Sequence, residues 1–395
     1  MHMSTWLSDY GVRLFGILAT GGVAAITAVG GAGIGEPAAA RENTRMAIYV
    51  GTYANGIYRL EFDASTGAAT VPVVAALTPN PSFLALHPNG RVLYAVNEVA
   101  DFGGSRTGAV SAFSVGASDG RLTLLNQQPS AGADPCHLIV DGAGRHLIVA
   151  NYSTGTVAVL PIDAIGRLSQ PVSVRQHHGH GPDSKRQEAP HAHAVTFDQS
   201  GRFLFEADLG TDRIHTFRFD AEAGRLVPTD PPDVVCEPGS GPRHFAWHPS
   251  GRMLYVLNEL ESTVTALAFD AANGRLTSVQ TQPMLPAGFA GLNTGAELAV
   301  LPNGRFLFAS NRGHDSLARF AIDPATGALT PAGHVPAGGK TPRHFAVDPS
   351  SRWLLAANQD SDAITIFRLD AASGALTPVG QIAVPKPVCV LFTPR

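Results

Sequence analysis

Cysteines and charged residues are both scarce in this chain of 395 residues. Charged residues make up 15% of it, and the formal net charge is −4. No stretch forms a basic stripe with interleaved aromatic residues, so we predict no nucleic-acid partner. The three cysteines, Cys136, Cys236 and Cys389, lie far apart and show neither metal-ligand spacing nor a disulfide framework. We expect them to be buried apolar thiols.

Several catalytic motifs are also missing from the sequence. It contains no G-x-S-x-G nucleophile elbow and no P-loop. The phrase GGAGIG near the N-terminus follows no predicted strand and opens no βαβ unit, which excludes a dinucleotide site there. If the protein is a hydrolase, we therefore expect water to be the nucleophile. We predict no cofactor.

A five-residue phrase that ends in arginine recurs along the chain. Its copies are HPNGR, DGAGR, DQSGR, HPSGR, LPNGR and DPSSR, and they end at Arg91, Arg145, Arg202, Arg252, Arg305 and Arg352. These arginines lie roughly 50 residues apart, a period that is typical of repeat architectures.

Each repeat contains four runs of strand length. One apolar run precedes the phrase, two follow it, and a glycine turn leads into the fourth. β-Branched and aromatic residues bounded by Gly, Pro, Asn and Asp are typical of strands and turns. Four antiparallel strands in a unit of about 50 residues form a blade of a β-propeller.

The two chain ends are predicted to share one blade. The glycine turn occurs seven times, but the arginine phrase occurs six times. The first blade lacks its first strand, and the run from Val388 to Pro394 resembles a first strand with nothing after it. Pairing this run with the strand from Ala47 to Tyr53 leaves no open gap in the ring. We therefore predict an all-β fold, a seven-bladed propeller over residues 46–395 with four antiparallel strands per blade.

Residues 1–45 lie outside the repeat. The run from Leu14 to Ile34 is apolar and rich in Gly and Ala, and a small-residue pattern, Ala38-Ala39-Ala40, follows it. This pattern favours a secretory signal, which would place the protein in the periplasm or outside the cell. An uncleaved membrane anchor and a mis-annotated start codon of a cytoplasmic protein are the alternatives.

The repeat arginine locates one mouth of the central channel. Strand one of each blade lines the channel, and its start lies beside the end of strand two in an antiparallel pair. Residues nine before each arginine, and six and seven after it, should therefore ring this mouth. The asparagine that recurs six residues after the arginine is predicted to bond local backbone. The repeat arginines, at the opposite end, are predicted to serve turns.

Residues that break the repeat at this mouth are the functional candidates. Arg243, Arg312 and Arg343 occupy equivalent or adjacent levels in three consecutive blades, and guanidinium groups match phosphate and carboxylate. We predict a site for an anionic small molecule. Glu259 on the same ring is either a general base or a salt-bridge partner. The remaining candidates for substrate binding are His137, His191, His244 and Asn258.

An insertion between Val174 and Ala194 lengthens one connection at the same mouth. It contains His177, His178, His180, His191 and His193. No pair has the i, i+4 spacing of a zincin, and no cysteine pair accompanies them, so we predict no metal site. We expect His191 and His193 to face the channel, where imidazole serves as acid, base or hydrogen-bond donor near neutral pH.

Four segments together resemble the 6-phosphogluconolactonase family of seven-bladed propellers, which also includes carboxy-cis,cis-muconate cyclase. They are GPRHFAWHPSGRMLYVLNEL, RQEAPHAHAV, ASNRGHDSLARF and TPRHFAVDPS. The resemblance covers the chain from about Met46 to its end and implies metal-free hydrolysis of 6-phosphoglucono-1,5-lactone. By motif it implies catalytic roles for His193, Arg243, Glu259 and Arg312.

Lactone hydrolysis is therefore the leading hypothesis, with an anionic lactone as the partner and a monomer as the expected state. A muconate-type cycloisomerase, whose arginines would hold carboxylates, and a non-catalytic binding propeller are the alternatives. A secretory signal would separate the protein from phosphorylated sugars kept in the cytoplasm. An exported protein would therefore act on an unphosphorylated aldonolactone or another lactone.

Overall fold

The computed structural model describes residues 44–393, apart from the side chains of Pro231 and Pro232. Nearly all regular structure in that range is β-strand, and no helix in it is long and apolar enough to span a membrane. The signal-like run from Leu14 to Ile34 and the small-residue pattern after it lie outside the described residues.

The strands form seven sheets, one for each blade. Blade one contains β1 (Arg45–Thr52), β2 (Ile57–Asp63), β3 (Ala68–Ala69) and β4 (Val73–Ala76). Blades two to four contain, in chain order, β5 (Leu84–Leu86), β6 (Val92–Asn97), β7 (Ala109–Val115), β8 (Leu122–Pro129), β9 (Pro135–Val140), β10 (His146–Asn151), β11 (Thr156–Pro161), β12 (Ser173–Gln176), β13 (Ala192–Phe197), β14 (Phe203–Asp208), β15 (Arg213–Asp220) and β16 (Arg225–Val235).

Blades five to seven continue the same pattern. They contain β17 (Pro242–Trp247), β18 (Met253–Asn258), β19 (Thr263–Asp270), β20 (Arg275–Pro283), β21 (Thr294–Val300), β22 (Phe306–Arg312), β23 (Ser316–Ile322), β24 (Leu329–Pro336), β25 (Pro342–Val347), β26 (Trp353–Asn358), a 3-10 turn (Gln359–Ser361), β27 (Ala363–Asp370) and β28 (Ala375–Ala383), and the chain ends with β29 (Pro387–Phe392).

The predicted closure of the ring is confirmed. β29 pairs antiparallel with β1, with Val50 opposite Val390, so the C-terminal strand is the innermost strand of blade one. First strands of neighbouring blades contact one another all the way round, from β5 to β29 and back. Blade one departs from the four-strand expectation because its outer strand is split into β3 and β4, which both pair with β2.

The core lies between the blades. Second strands such as β6, β10, β14 and β18 are buried along their whole length, because each is flanked by strands within its sheet and covered by the neighbouring blades. This packing explains why their sequences are continuous apolar runs rather than alternating ones.

The repeated phrase and the glycine turn tie one blade to the next. The hydroxyl of Tyr94 donates to the carbonyl of Gly166 at 3.0 Å, and that of Tyr255 donates to Gly327 at 2.8 Å. At the seam between blades seven and one, Arg352 and Trp353 both donate to the carbonyl of Ala64. The contact of Arg352 supports the prediction that the repeat arginines serve turns.

Candidate active site at the channel mouth

A β-bulge places one residue of each of four first strands at the channel mouth. In β9, β13, β17 and β25 the register with the second strand slips near the start of the strand. The residues passed over by the pairing are Cys136, His193, Arg243 and Arg343. Bulges re-aim side chains and are common beside active sites. Here the four bulges explain why these side chains all point into the channel mouth.

Glu259 is the centre of an ion-pair cluster at this mouth. Its Oε2 lies 2.8 Å from Nε of Arg243 and 3.0 Å from Nη2 of Arg312, and its Oε1 lies 2.7 Å from Nη2 of Arg186. Burial acts to raise the pKa of Glu259, but the three arginines outweigh it and hold that pKa well below its usual range. A carboxylate held in this way is a poor proton acceptor, so these contacts favour the salt-bridge role.

A second buried carboxyl group, Glu98, lies at the same mouth. The hydroxyl of Tyr53 is 2.8 Å from Oε1 and 2.9 Å from Oε2 of Glu98, and Ser82 also donates to this carboxyl. Arg343 donates to the same Tyr53 hydroxyl at 2.7 Å. Burial raises the pKa of Glu98, although Arg343 opposes the shift. Glu98 thus holds a proton more readily than Glu259 does.

His193 lines the same cavity as these two carboxyl groups and is buried. Its Nε2 is 3.9 Å from Oε2 of Glu259. Burial, together with the positive charge of Arg243, lowers the pKa of His193 well below its ordinary value. The imidazole is therefore neutral near pH 7 and has a free lone pair. Cys136 is close by, but burial raises the pKa of its thiol well above normal, so it is no nucleophile.

A layer of histidines lies deeper in the channel. Nδ1 of His244 is 3.0 Å from Oε2 of Glu297, and Nε2 of His344 is 3.4 Å from the same oxygen. The rings of Phe83 and His137 lie beside them, 4.2 Å apart. His137 and His244 therefore belong to a lower chamber, whereas the strand register had put the whole set at the mouth. His244 also lines the neck that joins the chamber to the mouth.

The mouth is a small pocket with a narrow floor. The cavity bounded by Glu98, His193, Glu259, Arg312 and Arg343 has a volume of about 210 Å³. The lower chamber measures about 220 Å³, and the neck between the two has a volume of about 10 Å³. A neck of that size passes little more than a water molecule. A ligand must therefore enter and leave by the outer opening.

Two predicted site residues lie behind the pocket wall. The ring of His191 stacks on Tyr152, 4.3 Å away and 8° from parallel, so Tyr152 rather than His191 faces the pocket. The amide of Asn258 donates to the hydroxyls of Thr263 and Thr265 at 2.9 and 3.0 Å. These partners are side-chain hydroxyls rather than the local backbone that was predicted, but they likewise give Asn258 a structural part rather than direct contact with a ligand.

Glu98, Tyr53 and Arg186 contribute to the mouth but were not among the sequence candidates. Glu98 lies on the predicted ring, at the same repeat position as Glu259. It was therefore taken for a recurrent residue and was not selected as a candidate. Tyr53 lies in blade one, which has no copy of the arginine phrase, so its position relative to the channel mouth could not be assigned. Arg186 lies in the insertion, where no register applies. A larger, open cleft of about 930 Å³ at the other end of the strands, near Arg59 and Arg91, lacks such a buried ionisable cluster among its lining residues.

Cysteine placement differs in part from expectation. Cys136 and Cys389 are buried, but Cys236 is partly exposed. Cys136 is also surrounded by ionisable groups at the mouth rather than by an apolar core.

Comparison with known proteins agrees with the fold. The chain is 36% identical to the 6-phosphogluconolactonase of Bacillus subtilis strain 168 over 299 residues, which cover 75% of this chain and 83% of that protein. It is 34% identical to the 6-phosphogluconolactonase of Formosa agariphila over 305 residues, covering 75% and 85%. Among solved structures, the periplasmic gluconolactonase of Pseudomonas aeruginosa is 36% identical, with a TM-score of 0.82 and coverage of 89% of this chain and 99% of that one.

A family model described as the seven-bladed β-propeller lactonase matches residues 47–392. The match covers every blade and every pocket residue described above. This chain therefore belongs to the seven-bladed β-propeller lactonase family.

Proposed function

We propose that this protein hydrolyses a sugar lactone to the open sugar acid, as the names of its 6-phosphogluconolactonase and gluconolactonase relatives suggest. The observation that carries the proposal is the convergence of four arginines on a pocket with two carboxyl groups. The pocket has an excess of two positive charges when both carboxyls are ionised. Such an excess in a buried place favours an anionic ligand.

Arg312 and Arg343 are the groups best placed to hold the substrate. Nε of Arg312 is buried and has no hydrogen-bond partner among the described residues. Arg343 uses one nitrogen for Tyr53, which leaves other N–H donors for a ligand. An unsatisfied buried donor is costly unless a ligand or water satisfies it. Positive charge beside the lactone carbonyl also stabilises the oxyanion of the transition state more than the ground state.

His193 is the proposed general base. Its neutral imidazole removes a proton from water as the water oxygen bonds to the lactone carbonyl carbon. The arginines depress its basicity in the free protein. A bound substrate anion offsets their charge and so raises the basicity of His193 when it is needed. Glu259, 3.9 Å away, then stabilises the imidazolium.

Glu98 is the proposed general acid. Collapse of the tetrahedral intermediate breaks the ring C–O bond, and the leaving alkoxide oxygen needs a proton. A protonated Glu98 donates it, and the proton held by His193 returns to Glu98 or to solvent, so the overall reaction adds one water across the ester bond. Tyr53 and Arg343 orient the Glu98 carboxyl.

Purified protein tests the activity directly. Acid release from 6-phosphoglucono-1,5-lactone and from glucono-1,5-lactone is followed in a weakly buffered solution, with the spontaneous rate subtracted. Acceleration of either supports the proposal. No acceleration of either lactone overturns it, and consumption of a carboxymuconate instead would indicate a cycloisomerase.

We further propose that residues 1–45 direct export and that the natural substrate is then an unphosphorylated lactone that carries another anionic group, such as a carboxylate. Support comes from the apolar run with its small-residue pattern and from the relative described as periplasmic. N-terminal sequencing of the mature protein from its own host tests this. A start near Arg41 supports export, and an intact Met1 contradicts it.

A further inference from the structure

A second cluster of ionisable groups lies away from the channel mouth, where the insertion meets blade four. It consists of His177 from the start of the insertion, Glu206 from β14 and His215 from β15, and the three donor atoms lie within 4.8 Å of one another. Asp208 adds a further oxygen, 3.7 Å from Nε2 of His215. None of these groups has a part in the proposed hydrolysis.

The donor atoms of this cluster are buried and make no hydrogen bonds among the described residues, although the carboxylates lie within ion-pair distance of the imidazoles. Glu206 is completely inaccessible to solvent, and neither of its carboxyl oxygens has a hydrogen-bond partner among the described residues. Nε2 of His177, Nε2 of His215 and Oδ2 of Asp208 are also buried atoms without a hydrogen-bond partner among the described residues. An isolated carboxylate is very costly to bury, so carboxylates in such places are paired or bind metal ions.

We propose that His177, Glu206, His215 and Asp208 bind a single zinc ion. Two imidazoles and two carboxylates form a donor set that suits Zn²⁺. Tetrahedral zinc with bonds of about 2.0–2.2 Å places its ligand atoms about 3.3–3.6 Å apart. Here Oε2 of Glu206 lies 3.1 Å from Nε2 of His177 and 3.9 Å from Nε2 of His215. These two distances lie on either side of that range.

The surroundings of His215 and Asp208 orient them as ligands. Nδ1 of His215 lies 3.0 Å from Oδ1 of Asp233, which leaves Nε2 to face the cluster. A metal-binding histidine usually has such a partner on its other nitrogen. Oδ1 of Asp208 accepts from the backbone N–H groups of His191 and Gly210, so its Oδ2 is the atom that remains.

The two imidazole rings must leave their present arrangement to share one ion. They are stacked 3.8 Å apart and 5° from parallel. Zinc binds in the plane of an imidazole, so both rings must turn about their terminal side-chain torsions, which are soft, to direct their lone pairs at one ion.

The site is closed and therefore structural rather than catalytic. Its ligands are buried, so a substrate cannot reach the ion. The ion would fasten the start of the insertion to blade four, and the same insertion carries Arg186 to Glu259. The proposed role is thus to hold the segment that completes the mouth. The expectation of no metal rested on spacing within the insertion, whereas three of the four ligands come from blade four.

The test uses the full chain without a polyhistidine tag. Protein is stripped with a chelator, saturated with zinc, dialysed and measured for bound metal, and it is also titrated with Co²⁺ to follow the visible absorption of a tetrahedral site. We expect about one ion per chain for the unmodified protein. Glu206→Gln and His177→Ala should lose the ion and the Co²⁺ bands, while His178→Ala, an exposed neighbour, keeps both.

Unmodified protein that retains neither zinc nor Co²⁺ overturns the proposal, as does Glu206→Gln that retains a full equivalent. If a variant fails to fold, the titration of the unmodified protein still decides. Both readouts are independent of lactone hydrolysis, so this inference and the proposed function can fail separately.

Discussion

The hydroxyl of Tyr53 lies within 2.9 Å of both oxygens of Glu98 and accepts a hydrogen bond from Arg343 at the same time. The three residues come from blades one, two and seven, so ring closure assembles this chain of hydrogen bonds. Burial raises the pKa of Glu98 despite the nearby arginine. Burial thus favours the protonated form of Glu98 beside an anion-binding pocket, which is the form that a general acid requires.

Replacing Glu98 with Gln should slow turnover while leaving substrate affinity nearly unchanged. The amide keeps the shape and one donor but cannot deliver a proton, and general acid catalysis contributes about 10²- to 10⁴-fold. Steady-state kinetics with the faster lactone should show the loss in kcat rather than in KM. The matched control is Glu261→Gln, which makes the same substitution at an exposed position outside the pocket. A Glu98→Gln protein with unchanged kcat would remove Glu98 from the mechanism.

The fold was largely predictable because it is a repeat. Each arginine phrase has the same turn chemistry, and counting the phrases against the glycine turns led to the shared blade of β1 and β29. The same register also selected His193 and Arg243, since a residue that departs from a repeated position is under a different constraint.

What could not be predicted depends on features outside the repeat. The bulges that separate the mouth from the lower layer have no marker in the sequence, so His137 and His244 were placed one level too high. Arg186 reaches Glu259 from an insertion whose path the register does not describe. The cluster around Glu206 joins two blades, and a contact of that kind leaves no spacing signal along the chain.

The pH profile should identify His193 as the base. Its lowered pKa implies that kcat/KM stays constant near neutral pH and falls only at a pH below about 6.5, the ordinary pKa of histidine. Substrate binding offsets the arginine charge, so the acid limb of kcat should lie at a higher pH than that of kcat/KM. His193→Gln should abolish both limbs together with most of the activity, whereas His178→Gln should change neither. Coincident limbs would contradict the coupling between binding and basicity.

Arg312 should discriminate between phosphorylated and unphosphorylated lactones. Hydrogen bonds to charged groups contribute about 1.5–3 kcal/mol, so Arg312→Gln should raise KM for the phosphorylated lactone about 10- to 100-fold if this arginine holds the phosphate. Parallel kinetics on glucono-1,5-lactone provides the comparison. An equal loss of kcat/KM on both substrates would instead assign Arg312 to the lactone carbonyl. Arg305→Gln, a repeat arginine at the opposite end, should affect neither substrate.

Acid should destabilise the protein through the buried histidines of the lower chamber. Burial lowers the pKa of His344 to about 4, even though Glu297 acts to raise it. The unfolded chain therefore binds this proton first, so the stability is present above about pH 6.5 and is lost as the pH falls towards about 4. The slope for one such group is at most about 1.4 kcal/mol per pH unit. Urea unfolding at several pH values should show a shallower dependence for His344→Gln than for the unmodified protein.

Removal of β29 should abolish folding rather than merely weaken it. Val388, Cys389 and Val390 of this strand are each at most 3% exposed, and Val390 and Cys389 pack in the cores on either side of β1. Burying each side chain contributes about 1.5–3 kcal/mol, and together they rival the whole stability of a typical domain, about 5–15 kcal/mol. Deletion also frees the edge of β1 and opens the channel wall beside Tyr53, so a surviving fraction should aggregate. A protein that ends at residue 386 is therefore expected in the insoluble fraction, whereas one that ends at residue 393 should unfold at the same urea concentration as the full chain. A soluble protein ending at residue 386 with a cooperative unfolding transition would show that the ring does not depend on its C-terminal strand.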